Sequence, residues 1–392
     1  MREAVILSAV RTPVGKFGGS LKNFAAPRLG AMVIAEAVKR AGVSSQDVQE
    51  CIMGNVLPAG TGQNPARQAA LLAGLPVEIG SFNVNKVCGS GLKSVMLAAN
   101  SVRAGEHEIM VAGGMENMSA APYLLMDGRF GYRLGDNKIV DHLVKDGLWD
   151  APTDQHMGIT AEIVAERYNV TREEADLLSY QSHLKAHAAF KEGRFDKEML
   201  PVKIKTRKEE FELRQDEGVR PDTSVEALAR LRPVFKEGGL VTAGNASQIS
   251  DGAAALVVAS REYAEERGLA PLASIIDYNT GGTRPEWIME APIHTSRALM
   301  ERNDLAIDDI DLFEHNEAFA TASVAVRREL EVPEDRFNVN GGAVAIGHPI
   351  GASGARVLTT LIYALHDRQK RTGLATLCLG GGNAVSMLVR RE

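Results

Sequence analysis

An internal repeat constrains the fold of this chain more than any other feature. The tetrapeptide FNVN occurs at Phe82–Asn85 and again at Phe337–Asn340, and each copy leads into a glycine-rich turn and a predicted helix. Two further similarities between the halves occur in the same order. The helix–turn–strand pattern of 35–56 is repeated at 296–318, and VAGGMEN at 111–117 is similar to LCLGGGN at 377–383. The period is far longer than that of solenoid repeats, so the pattern indicates an ancient duplication and two similar halves.

Each half alternates short apolar runs with amphipathic stretches. AVILSAV at 4–10 is typical of a buried strand, and apolar residues at helical spacing then end at Gly42, which is placed to stop a helix. ECIMGNV at 50–56, IGSFNVNKV at 79–87 and EIMVAGG at 108–114 are again strand-like. Strands that alternate with helices in this way predict an α/β fold in which helices cover a sheet.

The segment between the halves differs from them in composition. It is rich in mixed charge but keeps periodic apolar positions, and Thr171 with Glu174 forms a predicted capping box. We therefore interpret 119–245 as an inserted loop domain rather than a linker. The predicted N-terminal half comprises 1–118 and 246–270, and the predicted C-terminal half comprises 271–392.

Composition excludes several classes of protein. The 392 residues are 45% hydrophobic with a formal net charge of −6, which argues against a nucleic-acid or anionic-membrane binder because such binding needs a cationic surface. The basic run at 203–208 is interpreted as a solvated face. Three scattered cysteines without a CxxC pair predict neither a disulfide framework nor a metal site, and they fit a reducing cytoplasm.

Cys88 is the first candidate for chemistry. It stands between a predicted strand and a predicted helix and is followed by Gly89-Ser90-Gly91. Free backbone N–H groups and the positive end of a helix dipole would stabilise a thiolate there, so we expect a lowered pKa and a nucleophile. The alternative is a buried, inert cysteine, which is the interpretation we give to Cys51.

Three more residues could take part in catalysis with Cys88. His348 lies in the glycine-dense loop GGAVAIGHPIGASG, where it could act as a general base or simply bond to the backbone of a tight turn. Cys378 precedes Gly380-Gly381-Gly382, and a second thiol could carry a proton while the first acts as nucleophile. The amide of Asn316 could orient a water or donate to an oxyanion, or its polar groups could be satisfied at a strand end.

With these residues in place, the whole chain resembles the thiolase family. VCGSG around Cys88, NEAFA at 316–320, GGAVAIGHPIGASG around His348 and CLGGG at Cys378 are similar to its four signature regions, in order. The resemblance implies a five-layer α-β-α-β-α fold of two duplicated halves with an inserted loop domain. It also implies that Cys88 is acylated with His348 as base and that Cys378 exchanges a proton with the acetyl α-carbon. One oxyanion site would then use His348 with a water on Asn316, and the other the N–H groups of Cys88 and Gly380.

The resemblance further implies that coenzyme A and acetyl-CoA are substrates, with no tightly bound cofactor. Positions similar to coenzyme A contacts of bacterial biosynthetic members are Leu148, His156, Met157, Arg220, Phe235, Ala243, Ala246, Ser247, Ala318 and Phe319. For Leu148, Phe235 and Phe319, ordinary core packing is nearly as good an explanation. The segment 120–147 resembles a tetramerisation loop, which implies a homotetramer built as a dimer of dimers.

The expected reaction is the reversible condensation of two acetyl-CoA to acetoacetyl-CoA, and the alternative is a broader 3-ketoacyl-CoA thiolase of fatty acid degradation. The chain departs from the biosynthetic pattern at Ala227, at Met289-Glu290-Ala291-Pro292, at His315 and at Asn383, so the acyl chain length, the direction in the cell and the pathway stay open. A ketoacyl synthase is disfavoured because Cys378 and the single GHP histidine do not fit a Cys–His–His set. A non-catalytic binding protein is disfavoured because Cys88, His348 and Cys378 are all present.

Overall fold

The first half of the fold is a set of strands covered by helices. The computed structural model describes residues 2–207 and 209–392. Gly42, with φ of 70°, ends the first long helix as the sequence predicts, whereas the helix begins at Ala26 with Pro27 in its first turn. The elements are β1 (Ala4–Arg11), β2 (Gly15–Lys16), α1 (Ala26–Ala41), β3 (Glu50–Gly54), α2 (Pro65–Leu72), β4 (Gly80–Val84), α3 (Ser90–Ala104) and β5 (Ile109–Asn117).

The central segment contains short hairpins and two longer helices. The predicted capping box is present, since the Thr171 hydroxyl accepts from the Glu174 N–H and the Glu174 carboxylate from the Thr171 N–H. In the basic run, Lys203 and Lys205 are exposed, whereas Lys208 lies outside the described residues. The elements are β6 (Tyr123–Leu124), β7 (Val140–Asp141), a π-helical turn (Leu143–Leu148), β8 (Trp149–Asp150), β9 (Gln155–His156), α4 (Met157–Arg167), α5 (Arg172–Lys191), β10 (Val202–Lys205), β11 (Glu210–Leu213) and α6 (Val225–Ala229).

The chain then returns to the sheet and builds the second half. The elements are β12 (Ser250–Ser260), α7 (Arg261–Glu266), β13 (Ala273–Gly282), a 3₁₀ turn (Pro285–Glu290), α8 (Ala291–Arg302), β14 (Leu312–His315), α9 (Ala320–Glu329), α10 (Ala343–Ile346), α11 (Ser353–Asp367), β15 (Thr372–Leu379) and β16 (Asn383–Arg391). Short 3₁₀ turns also occur at Ser45–Asp47, Ile307–Asp309 and Glu334–Arg336.

The order of the strands displays the duplication. The main sheet runs β14-β15-β16-β13-β1-β12-β5-β3-β4, and β2 pairs with β12. From β1 outward, β12 and β5 each pair antiparallel with the strand before them, and β3 then pairs parallel. From β13 outward, β16, β15 and β14 pair in the same sequence of orientations. The two FNVN copies differ, because the first forms most of β4 whereas Phe337 of the second makes only a bridge to Phe313.

Helices separate and cover the two halves of the sheet. The helices α3 and α11 contact each other between the halves, α1 and α2 cover the first half, and α8 packs on β13 and β16 of the second. Together with the two halves of the sheet, these helices make the five layers that the resemblance implies. One cluster of buried apolar side chains fills the space between α3 and α11 and both halves of the sheet, and separate clusters lie beneath α1 and α2 and beneath α8.

Two glycines bring the helix starts at the centre of the molecule together. A Cβ on Gly91 would lie 2.7 Å from the Ala355 N atom, and a Cβ on Gly354 would lie 2.2 Å from the Leu92 N atom. Only residues without a side chain permit backbones to approach this closely. As a result, the turns that precede α3 and α11 meet, and these turns carry Cys88 and His348.

Candidate active site

Cys88 sits on a strained turn between β4 and α3. The residue before it, Val87, has φ of 46°, a left-handed conformation that a β-branched residue adopts at a cost of about 1–3 kcal/mol. The turn is held by Asn85, whose Oδ1 accepts from the Val87 N–H at 3.0 Å. It is also held by Ser90, whose Oγ accepts from the Lys86 N–H at 2.8 Å and donates to the Val87 carbonyl at 2.6 Å. This turn fixes the position of the Cys88 thiol.

The expectation of a lowered pKa at Cys88 is wrong. Burial raises the pKa of this thiol well above its ordinary value, and the neighbouring Cys378 raises it further, while a backbone hydrogen bond opposes the shift only in part. The Cys88 side chain is only 7% exposed, and the loss of water around it disfavours the thiolate more than the helix start favours it. A thiolate at Cys88 therefore requires a base that takes the proton directly.

His348 is placed to be that base. It borders the same cavity as Cys88, and burial lowers its pKa to about 3, with the Arg356 charge adding to the shift, so the ring is neutral at physiological pH. Ser353 Oγ lies 2.5 Å from His348 Nδ1 and 2.8 Å from the carbonyl of Pro349. Because the hydroxyl has one proton and donates it to that carbonyl, Nδ1 carries the ring proton and Nε2 has the free lone pair.

The loop that carries His348 is anchored on both sides. The His348 N–H donates to Ser250 Oγ at 3.2 Å. Three residues later, the Gly351 N–H donates to Glu116 Oε2 at 2.9 Å, and the same carboxylate accepts from the N–H groups of Val56 and Leu57, just after β3. The buried Glu116 thus ties the histidine loop to the sheet of the first half.

Asn316 lies directly against the imidazole of His348. It follows the end of β14, and its Nδ2 is 3.4 Å from His348 Nε2 and 3.5 Å from Nδ1. Its N–H donates to the Thr376 carbonyl at 3.0 Å, which fixes it beside the neighbouring strand β15. Asn316 Oδ1 is buried without a hydrogen-bond partner in the described part of the chain. An unpaired buried carbonyl next to a base is suited to hold a water or a ligand group.

Cys378 approaches the site from the second half. It is the penultimate residue of β15, is 1% exposed, and has a pKa raised to about 12 by burial. Its Sγ lies 3.5 Å from Met289 Sδ. In the glycine turn that follows, a Cβ on Gly380 would be 3.5 Å from Val87 Cγ1, so this turn faces the turn of Cys88. Both thiols and the imidazole therefore come together from separate halves.

A cavity of about 200 Å³ leads to Cys88 and His348. Eight of the ten residues predicted to contact coenzyme A line it: Leu148, His156, Met157, Phe235, Ala246, Ser247, Ala318 and Phe319. The rings of His156 and Phe235 stack with centroids 4.6 Å apart, and burial lowers the pKa of His156. The remaining two, Arg220 and Ala243, are exposed and are not part of the lining.

Sequence reasoning missed several residues of the site. Met118, Gly147, Gln248, Ile249 and Ile350 also line the cavity. Ser353 lies inside the same glycine-dense loop as His348, so its hydroxyl, five residues after the imidazole, was a signal that could have been used. The apolar lining residues carry no such signal, because their chemistry is that of any core residue.

The chain is similar to known proteins over its full length. The family models "Thiolase, N-terminal domain" and "Thiolase, C-terminal domain" match residues 4–262 and 269–391. Curated relatives named "Acetyl-CoA acetyltransferase" are 51% identical in Cupriavidus necator and 52% identical in Escherichia coli K12, each covering 100% of both chains. The crystal structure of the Bacillus anthracis acetyl-CoA acetyltransferase is 42% identical, with a TM-score of 0.98 over 100% of this chain and 99% of that one.

Proposed function

Since the chain belongs to the thiolase family, we propose that it catalyses the reversible condensation of two acetyl-CoA molecules to acetoacetyl-CoA and coenzyme A. The observation that carries this proposal is the meeting of Cys88, His348 and Asn316 at one buried site, with Cys378 close enough to Cys88 to affect its pKa. Two buried thiols around one neutral imidazole can divide the roles of nucleophile and proton carrier, which a carbon–carbon bond-forming acyl transfer needs.

In the first half-reaction, Cys88 takes the acetyl group from coenzyme A. His348 Nε2 accepts the proton of the Cys88 thiol as its sulfur attacks the thioester carbonyl, and it returns that proton to the departing coenzyme A sulfur. Ser353 holds the ring in the tautomer that this transfer requires. The neutral state of His348 supports the assignment, because a protonated ring could not act as a base.

In the second half-reaction, Cys378 acts on the α-carbon of a second acetyl-CoA. The neutral His348 first takes the proton of the Cys378 thiol, and the resulting Cys378 thiolate takes one α-proton. The carbanion attacks the acetyl-Cys88 carbonyl, and the Cys88 thiolate leaves as acetoacetyl-CoA forms and recovers a proton from His348, so all three groups return to their starting states. The enolate oxygen is stabilised beside His348 by a water held on Asn316, and the tetrahedral oxyanion by the N–H groups of Cys88 and Gly380. Each such donor is worth about 3–4 kcal/mol in comparable sites.

Coenzyme A binds in the cavity, which residues of the loop domain help to line. We assign this role to the eight lining residues named above, and to Arg220 and Ala243 nearer the surface. The loop domain is 119–245, between an N-terminal half of 1–118 with 246–270 and a C-terminal half of 271–392. The contact of Ser247 N–H with the Ala318 carbonyl, at 2.9 Å, joins the end of that domain to the NEAFA segment.

The active form that we propose is a cytoplasmic homotetramer. The segment 120–147 supports it, since it exposes apolar side chains that water does not favour: Tyr123, Leu125, Met126, Phe130, Tyr132, Leu134 and Ile139. Within the described residues, no helix is both long and apolar enough to cross a bilayer. In the same part of the chain, no three His, Cys, Asp or Glu side chains are grouped as metal ligands.

The test is thiolysis of a series of 3-ketoacyl-CoA substrates by coenzyme A, from acetoacetyl-CoA upward, followed by loss of the enolate absorbance. We expect activity on acetoacetyl-CoA to exceed that on longer chains. Absence of activity on every member, with folded protein, would refute the proposal.

A second candidate is a broader 3-ketoacyl-CoA thiolase. A relative from Staphylococcus aureus named "Probable acetyl-CoA acyltransferase" is 49% identical over 392 residues. This similarity supports a wider range of acyl groups as the second candidate for the substrate. The same substrate series decides between the two, because a preference for longer chains would favour the broader enzyme.

A further inference from the structure

Glu290 is a buried carboxylate that the proposed mechanism does not use. It is 1% exposed and ends the 3₁₀ turn Pro285–Glu290, directly before α8. This turn packs against α4 of the central segment and against β15, the strand that carries Cys378. A charge that is removed from water needs strong partners, so the contacts of Glu290 indicate what it holds.

Four side chains from three parts of the fold surround this carboxylate. From the end of α4, Arg167 Nε donates to Oε2 at 2.7 Å and the Tyr168 hydroxyl donates to Oε2 at 2.8 Å. From the segment after β13, the Thr283 hydroxyl donates to Oε1 at 3.0 Å. From α8, His294 Nε2 lies 3.4 Å from Oε1. Both oxygens are therefore used, and the carboxylate fastens the central segment to the second half.

The charge on Glu290 is maintained by these donors. Burial raises the pKa of this carboxyl, but hydrogen bonds from Tyr168 and Arg167, with smaller ones from His294 and Thr283, outweigh burial and leave the pKa below its ordinary value. A neutral amide of the same shape would offer one acceptor oxygen and would turn an N–H₂ group toward one set of donors. The cluster is thus built for an anion.

The cluster reaches Cys378 by two short routes. The residue before Glu290 is Met289, which is fully buried and whose Sδ lies 3.5 Å from Cys378 Sγ. On the other side, Thr283 also donates its N–H to the Gly382 carbonyl at 2.6 Å, in the glycine turn four residues after Cys378. Arg167 Cζ further lies 3.9 Å from the centroid of Trp287, in the same 3₁₀ turn as Met289.

We propose that Glu290 is a positioning residue for Cys378. Glu290 holds Met289 against the Cys378 thiol and fixes the glycine turn that follows Cys378. This inference rests on the proposed function, because it assigns a role in the second half-reaction. Glu290 does not touch the cavity, and Cys88 and His348 are anchored by other groups, namely Ser90, Ser250 and Glu116. Loss of the carboxylate should therefore affect proton transfer at Cys378 and spare acylation of Cys88.

The variant Glu290→Gln separates the two half-reactions. Acetyl exchange between acetyl-CoA and a coenzyme A analogue requires only Cys88 and His348, and we expect it to stay within about two-fold of the wild type. Exchange of the acetyl α-hydrogens for deuterium requires Cys378, and we expect it and the condensation rate to fall by about ten-fold or more. The pH profile of deuterium exchange should also shift, since the surroundings of the proton carrier Cys378 change. The matched control is Glu286→Gln, in the same turn but only loosely paired with Arg284 at 3.7 Å, which should behave as the wild type.

Three outcomes would overturn the inference: unchanged deuterium exchange in Glu290→Gln, an equal fall in both half-reactions, or the same change in Glu286→Gln. If Glu290→Gln does not fold, Tyr168→Phe removes one donor and leaves the other partners, and the same selective loss is expected at smaller size. A selective loss supports the inference and an equal or absent one refutes it. A wild-type enzyme without either half-reaction would instead refute the proposed function.

Discussion

Ser353 Oγ lies 2.5 Å from His348 Nδ1, and this contact decides which nitrogen of the imidazole is free. The same hydroxyl also reaches the carbonyl of Pro349 at 2.8 Å, one turn earlier. Since that carbonyl can only accept, the hydroxyl must accept from Nδ1–H. Ser353 thus prepares Nε2 to receive the proton of Cys88, whose raised pKa makes a base indispensable.

We expect Ser353→Ala to slow acylation of Cys88 by about 10–100-fold, part of the 10²–10⁴ that a general base contributes. Without the hydroxyl, the ring can adopt the tautomer with its proton on Nε2, and its orientation is less restricted. The measurement is the rate of acetyl exchange between acetyl-CoA and a coenzyme A analogue, together with its pH profile.

A matched control for this variant is Thr359→Ala. Thr359 lies in the same helix, is fully buried, and donates its hydroxyl to the Ala355 carbonyl at 2.8 Å without touching His348. An equal loss of activity in both variants would contradict the tautomer argument and would indicate a general effect of removing a buried hydroxyl from α11.

The candidates Cys88, His348 and Cys378 could be singled out from the sequence because each lies beside a glycine-rich motif, and the structure brings them close together. The repeat also predicted that Cys88 and Cys378, 290 positions apart, would meet, since pseudo-symmetric halves bring their helix starts and strand ends to a shared face. The local sequence was enough here because a cysteine or histidine beside several glycines is an uncommon pattern.

Burial and contacts through space could not be predicted in the same way. The pKa of Cys88 moves upward because of tertiary packing, which no window of neighbouring residues contains. The Met289–Cys378 contact joins residues 89 positions apart, and the network of Glu290 joins four elements, so neither has a local signature. The sequence marked Met289–Pro292 only as a departure from a familiar pattern.

Replacing Cys378 by Ala should leave Cys88 able to accept an acetyl group but abolish condensation, with a fall of about 10²–10⁴-fold. The reason is that Cys88 carries the acetyl group at this step, so Cys378 is the thiol that remains to take the α-proton. Mass spectrometry of the acetylated enzyme and the rate of acetoacetyl-CoA formation check the two parts. Cys51→Ala is the control, since Cys51 is buried in β3 away from the cavity and its loss should not alter either part. Normal condensation by Cys378→Ala would show that the proton carrier is another group.

The exposed apolar segment 120–147 gives a prediction about assembly. Leu134 is 100% exposed and Phe130 is 87% exposed, so a charge at Leu134 should oppose burial between subunits. We expect Leu134→Glu to convert tetramers to dimers, as measured by light scattering during size-exclusion chromatography. Lys138→Glu changes an exposed charge in the same segment and should leave the tetramer intact. A tetramer of Leu134→Glu would place the interface elsewhere.

Buried histidines predict a loss of stability in acid. His315 packs against the Phe337 ring with centroids 5.9 Å apart, and burial lowers its pKa to about 3. Burial has the same effect on His348, whose pKa is also about 3, and on His183, whose pKa is about 4. In the unfolded chain a histidine has a pKa of about 6.5, so between these values the unfolded state binds more protons. The free energy of unfolding should therefore fall as the pH drops below about 6.5, by up to about 1.4 kcal/mol per pH unit for each such histidine.

The variant His315→Gln isolates one of these contributions. Urea unfolding at pH 7.5, 6.0 and 5.0 should show a shallower dependence of stability on pH than in the wild type. At pH 7.5 the variant should be less stable by about 1 kcal/mol, because the contact of Nδ1 with Ser323 Oγ at 3.1 Å is lost. His107→Gln, at a half-exposed position, is the control for removing a histidine. If His315→Gln and the wild type lose stability with the same slope, His315 is not held neutral by burial, and the acid sensitivity must come from other groups.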